Sequence, residues 1–174
     1  MTTEAGTEHT SGLAFSAEAE AKFQKELTKY PNKRAALLPT LYIAQAEFGH
    51  LSVEVMNYVA ERLELPPSKV LQVATFYTMY HKKPAGRHHI EVCTSVPCCM
   101  MGGYKLVRFL EHELGIQRGE VTDDGRFSLA EAECLAGCGH APLLQINSMY
   151  FENLMGPDGE IDAEKVRRVL EEHR

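Results

Sequence analysis

A chain of 174 residues with 44% hydrophobic and 24% charged side chains has the composition of a folded protein rather than a disordered one. It is long enough for one full domain, or for a small domain with a substantial extension. A net charge of -6 is the wrong sign for a nucleic-acid partner, and the longest apolar stretch, around residues 35–46, is too short and too interrupted by Pro39, Thr40 and Gln45 to cross a bilayer. Direct membrane insertion is therefore not expected, and any membrane association should come through partners.

Residues 1–12 hold Glu4 and Glu8 but no Lys, Arg or apolar core, which predicts a flexible tail that is neither a signal nor a transit peptide. The expected compartment is cytoplasmic, where thiols stay reduced and suit metal binding better than disulfides.

From Phe15 to Tyr80 the periodicity is helical. Ser16 is a suitable N-cap for a helix over Ala17 to Lys29, with Phe23 and Leu27 on one face and Pro31 just beyond its end. A second helix is expected from Lys33 to Phe48, with Leu37, Leu41 and Ala44 buried and Gly49 as its stop. Ser52 caps a third over Val53 to Leu63, in which Val55, Val59 and Leu63 recur every four residues. Pro67 suits the first turn of a short fourth helix, Ser68 to about Phe76. Phe76, Tyr77, Met79 and Tyr80 are read as core or interface residues rather than a flavin or quinone pocket, because such side chains at helical spacing normally pack.

The segment Lys82 to Gly86 reads as a linker or turn, and beyond it the pattern changes. His88 to Cys93 alternates like a strand, with Ile90 and Val92 on one face, and its two histidines then point to opposite sides and are poorly placed to chelate one metal. Gly102 and Gly103 precede a helix over Tyr104 to Leu114 with Leu106, Leu110 and Leu114 on one stripe. Phe127 to Cys134, Pro142 to Ile146 and Met149 to Leu154 are strand candidates, and Ile161 to His173 is an amphipathic terminal helix. Glu111, Glu113, Glu120 and the Asp123-Asp124-Gly125 turn are expected on the solvated surface. The fold class is α+β, divided into the 1–12 tail, a helical bundle over 13–83 and an α/β domain over 84–174.

All five cysteines lie in the second half. Cys93 and Cys98 form a Cys-x4-Cys pair, Cys134 and Cys138 a Cys-x3-Cys pair, and Cys99 is a fifth thiol next to the first pair. Each pair follows an expected strand, which would place both on loops at strand ends. A 2Fe-2S cluster takes four soft ligands, two for each iron, and two thiolate pairs on facing loops match that division. Structural zinc also takes four cysteines, but its usual Cys-x2-Cys knuckle is absent, as is the Cys-x2-Cys of a thioredoxin-type redox pair. Cys138-Gly139-His140 has the form of half a Rieske element, with no later cysteine to complete it. Gly137 and Gly139 would let backbone amides approach the sulfurs, while Leu135, Ala141, Pro142 and Leu143 would exclude water.

Taken with Tyr30-Pro31, Ala35-Leu37-Leu38-Pro39, Gln45, Gly49-His50-Leu51-Ser52, Val59-Ala60, Val73-Ala74-Thr75-Phe76-Tyr77, Pro84-Ala85-Gly86, Cys93-Thr94, Glu133-Cys134-Leu135 and Ala141-Pro142, this constellation resembles the thioredoxin-like 2Fe-2S subunit of the NADH-dehydrogenase module of respiratory complex I. The resemblance implies a thioredoxin-like domain holding one 2Fe-2S cluster on Cys93, Cys98, Cys134 and Cys138. It also implies activity only as a subunit of NADH:quinone oxidoreductase, peripheral to the inner face of the membrane. FMN and NADH are expected on a partner flavoprotein subunit, through which the rest of the complex is reached. No Gly-x-Gly-x-x-Gly follows a strand, in keeping with a chain that has no NADH site of its own. The alternatives are the equivalent diaphorase subunit of an NAD-linked hydrogenase or formate dehydrogenase and, from another class, a zinc-stabilised binding module. Two departures from the family pattern are the extra thiol of Cys99 and Ala136, where a glycine commonly follows the leucine.

Overall fold

The computed structural model describes residues 12–173, so the expected tail lies, apart from Gly12, outside the described residues. The chain forms two compact units, Met1–Pro84 and Ala85–Arg174.

Among the described residues, the first unit is built of helices. α1 (Ala17–Leu27) starts at Ser16, whose hydroxyl accepts from the Ala19 N–H and relieves one of the unpaired donors of the first turn. The single helix expected from Lys33 is two elements, a 3-10 turn over Lys33–Ala36 and then α2 (Leu37–Phe48). Pro39 gives the reason: it has no N–H to bond the Ala35 carbonyl, so an α-helix cannot run unbroken through it, but it is tolerated in the first turn of a helix that begins at Leu37.

α3 (Val53–Leu63) is capped by Ser52 and ends with Glu64 in the left-handed region, and α4 (Pro67–Phe76) begins at the proline itself. Phe23, Leu37, Leu41, Ala44, Val55, Val59, Leu63, Val70 and Ala74 pack into one core. Burying each larger aliphatic among them contributes about 1.5–3 kcal/mol.

After α4 the chain is tied back by side chains. Gln45 donates to the Met79 carbonyl and accepts from the His81 N–H, while the buried Tyr80 donates its hydroxyl to the Leu38 carbonyl. Burial pushes the Tyr80 phenol above its ordinary pKa. Of the aromatic cluster, Tyr80 is core and Phe76 is 78% exposed, so the expected packing role divides between inside and surface.

The second unit is built on a four-stranded mixed sheet in the order β2-β1-β3-β4. β1 (His88–Cys93) pairs parallel with β2 (Phe127–Ala132) and antiparallel with β3 (Leu144–Ile146), which pairs antiparallel with β4 (Met149–Phe151). The connection from β1 to β2 contains α5 (Val96–Met100) and α6 (Gly103–Leu114), and α7 (Ala163–Glu171) closes the chain.

Ile90 and Val92 of β1 meet Leu106 and Leu110 of α6 and Val166 and Leu170 of α7 in a continuous core. A bidentate pair from Arg167 to Glu113 joins α7 to α6, and Glu111 pairs with Arg118, so these acids do more than solvate the surface. The two strand histidines separate as expected: His88 lies against Phe127 and His173, while the His89 ring is 2.8 Å from the Ser128 hydroxyl. Among the described residues no helix is long and apolar enough to cross a membrane.

Candidate metal centre

Strand pairing brings the cysteines together. β1 and β2 are parallel neighbours with Cys93 opposite Ala132, so both chains leave the sheet at the same end. The segments that follow, 94–98 and 133–138, therefore start side by side, and the Thr94 N–H bonds the Ala132 carbonyl. The outside of the carboxyl ends of strands is where α/β sheets usually place ligands.

Cys93 is the last residue of β1 and is buried. Cys98 is not on a loop, as expected, but on α5, a single helical turn begun by Ser95-Val96-Pro97, where the missing proline N–H costs nothing in the first turn. That turn rotates Cys98 inward to 0% exposure and leaves Cys99 exposed. Cys134 follows β2 by two residues, Cys138 opens a 3-10 turn over Cys138–His140, and both are exposed.

Cys93, Cys98 and Leu143 form a small apolar cluster of their own, covered by Leu135 and Ala141. Burial, a hydrogen bond with Cys93 and the neighbouring sulfurs of Cys93, Cys138 and Cys134 push the Cys98 thiol up to about 12.

Four gathered thiols, two of them buried beneath aliphatic side chains, suit a soft metal in a low-polarity pocket. No three His, Cys, Asp or Glu side chains among the described residues are set around a single ion, and a two-iron cluster asks for only two thiolates on each iron.

The loop between the exposed cysteines is shaped by its backbone. The Ala136 N–H donates to Cys134 Sγ at 3.4 Å, a contact of the kind that tunes thiolate ligands. Ala136 holds φ at 58°, which explains why a glycine suits this position. Left-handed alanine costs about 1–2 kcal/mol, and glycine gives back about 0.5–1 kcal/mol through its greater freedom when unfolded. Ala136→Gly is therefore expected to stabilise the protein by about 0.5 kcal/mol with the cluster retained. A urea midpoint that falls instead of rising would show that the loop carries no such strain.

Of the two glycines flanking Cys138, Gly137 has a packing reason, since a Cβ there would sit 3.0 Å from the Leu143 side chain, whereas one on Gly139 would meet nothing within 4 Å.

Sequence periodicity misses Gly103. A Cβ on it would come within 2.8 Å of the Cys93 carbonyl oxygen and 3.0 Å of the Cys98 carbonyl oxygen, so its bare Cα lets α6 start directly against the backbone that carries two of the thiols. The paired glycines Gly102-Gly103 are the only signal of this in the sequence, and they serve equally well as a helix start.

Comparison with known proteins agrees with this geometry. The family described as thioredoxin-like [2Fe-2S] ferredoxin matches residues 23–174. The E chain of the NADH-quinone oxidoreductase of Rickettsia bellii (strain RML369-C) is 44% identical over 144 residues, 81% of this chain and 86% of that protein. One of the E chains of the same oxidoreductase in Rhizobium meliloti (strain 1021), the one numbered 2, is 41% identical over 146 residues, 84% of this chain and 83% of that one.

A chain in the crystal structure of an air-oxidized NAD+-reducing [NiFe]-hydrogenase matches with a TM-score of 0.64 at 23% identity. That match covers 79% of this chain and only 22% of the hydrogenase chain, and it shows the fold alone. Thiols gathered at the carboxyl end of parallel strands and a family match over nearly the whole length lead to one conclusion: this chain belongs to the thioredoxin-like [2Fe-2S] ferredoxin family.

Proposed function

We propose that this chain is the electron-transfer subunit of an NADH-quinone oxidoreductase, with a single 2Fe-2S cluster held by Cys93, Cys98, Cys134 and Cys138. The observation that carries the reading is the delivery of both cysteine pairs to one end of the sheet by the parallel β1–β2 pairing. Identities of 41–44% to subunits of that complex over most of both chains support it.

When bound, such a cluster takes up and gives back one electron at a time. The protein's part is to hold and tune it. Cys93 and Cys98 would grip it from the buried side, and Cys134 and Cys138 would close it from the exposed side. Leu143, with Leu135 and Ala141, excludes water, and the Ala136 N–H stabilises negative charge on Cys134 Sγ, which favours the reduced state. No bond to a substrate is made or broken by this chain.

NADH and FMN belong, in this reading, to a partner flavoprotein subunit, which links the chain to the rest of a complex at the inner face of the membrane. The division of labour follows a boundary near residue 84: residues 84–174 carry the cluster, and the helices of 13–83 anchor the flavoprotein. Exposed Leu71, Phe76 and Met79 on and just after α4 support a docking role for that bundle.

Protein purified anaerobically is expected to hold about two irons and two acid-labile sulfides per chain. NADH should reduce it only when the flavoprotein is present. A chain starting at Pro84 should keep its cluster spectrum and lose co-purification with the flavoprotein. Stoichiometric zinc without iron would sink the cluster reading, reduction of the lone chain by NADH would sink the division of labour, and unchanged binding of the truncated chain would sink the docking role. A hydrogenase or formate dehydrogenase co-purifying with the full chain, in place of a quinone-reducing complex, would assign it to a diaphorase.

A further inference from the structure

The loop that carries Cys138 is held from outside by the segment that follows β4. The Asn153 N–H donates to the His140 carbonyl at 2.8 Å, and the Leu154 N–H donates to the Pro142 carbonyl at 3.2 Å. These two bonds fix the stretch that leads from the Cys138–His140 turn to the buried Leu143. Glu152 adds a side-chain contact, its carboxylate lying 3.8 Å from the His140 ring. Where Cys138 stands therefore depends on how residues 152–154 are themselves held.

Asn153 has φ at 54°, a left-handed conformation that a residue with a side chain keeps only where its surroundings enforce it. The enforcing group is Lys165. From the first turn of α7 its half-buried side chain reaches back to donate to the Glu152 carbonyl at 2.9 Å and to the Asn153 carbonyl at 3.0 Å. Two successive carbonyls thus converge on one ammonium, and hydrogen bonds from a charged donor are stronger than neutral ones. The lysine is placed in turn by the start of its helix. The Asp162 carboxylate accepts from the Lys165 N–H at 3.0 Å, and the Asp162 N–H donates to the carbonyl of the fully buried Leu154.

We propose that Lys165 is a positioning residue for the cluster: through Glu152 and Asn153 it fixes the turn that presents Cys138. The inference rests on the reading of Cys138 as a cluster ligand. Lys105 offers the contrast within the same unit, since it donates to the Gly159 carbonyl and the Glu160 carboxylate instead.

The test compares the cluster-loaded full chain with Lys165→Met, with Lys105→Met and with the double variant Lys165→Met, Asn153→Gly. Methionine keeps the helix propensity of lysine and removes only the donor. Lys165→Met is expected to assemble its cluster but to release iron to a chelator about tenfold faster, with displaced g values in the reduced state, because groups that orient metal ligands typically contribute on that scale. Lys105→Met should behave as the parent. Glycine enters the left-handed region freely, so the double variant should recover part of the lost retention. Hydrogen exchange of the metal-free chains, read by mass spectrometry, follows the strap without the cluster: Lys165→Met should speed exchange over residues 152–154 while Val169 and Leu170, buried on α7, stay protected.

Parent-like iron release and g values in Lys165→Met overturn the proposal, as does an equal loss in Lys105→Met or a double variant that recovers nothing. Exchange that rises throughout α7 also overturns it, because Lys165 then only maintains its helix. A parent chain that holds no iron sinks the ligand reading instead, and that result is seen before any variant is compared.

Discussion

Cys134→Ser and Cys138→Ser are each expected to abolish or strongly alter the cluster spectrum, while Cys99→Ser leaves the reduced-state spectrum nearly unchanged. A serine oxygen is a harder donor than a thiolate and binds iron with a different length and polarity, so one replacement disturbs both the assembly and the potential of a cluster with two ligands per iron. Cys99 differs in position and not in chemistry. The single turn of α5 buries Cys98 completely against Cys93 and Leu143, and the next residue along a helix points about 100° away, into solvent. The measurement is iron and sulfide content together with paramagnetic resonance of the reduced protein. Retention of the cluster in Cys98→Ser with its loss in Cys99→Ser would mean that the neighbouring thiols have been given each other's roles.

Gly103→Ala should be nearly as damaging, although it removes no ligand. The added methyl would lie 2.8 Å from the Cys93 carbonyl oxygen and 3.1 Å from the Cys98 carbonyl carbon, and neither is the loose end of a side chain that can swing away. Either α6 backs off from the sheet, taking Leu106 and Leu110 out of their core positions, or the end of β1 and α5 move apart and carry Cys93 and Cys98 with them. Overpacking of this kind typically costs about 1–3 kcal/mol, and here it falls on the segment that holds the two buried thiols. Iron content should drop and the thermal midpoint should fall together in Gly103→Ala, whereas Gly115→Ala, which meets no atom within 4 Å but holds a positive φ, should lower stability and leave iron content unchanged. A fully loaded Gly103→Ala would show that the backbone around the site yields more easily than its packing suggests.

Much of the helical unit is legible in the sequence because its determinants are local. Ser16 and Ser52 cap their helices by reaching three residues along the chain, and Val55, Val59 and Leu63 declare a buried face through their spacing alone. Where the periodicity misleads, a backbone group is responsible: Pro39 splits one expected helix into a 3-10 turn and α2, which apolar spacing cannot reveal because both pieces share the buried stripe of Leu37, Leu41 and Ala44. Strand ends are less well read. β2 stops at Ala132 rather than Cys134, and β3 and β4 each keep three residues, since a strand extends only as far as a neighbour supplies hydrogen bonds.

The cysteine spacing by itself determined the donor chemistry, two thiolate pairs suited to two irons, because ligand softness and ligand count are properties of residue type. Which pairs face each other was decided only by tertiary structure, through the parallel register of β1 with β2 that sets Cys93 opposite Ala132 and sends both cysteine segments out at one end of the sheet. The same holds for Cys98 over Cys99. Adjacent thiols are equal in sequence, and one helical turn, packed so tightly that only a glycine fits at position 103, buries the first and leaves the second in water.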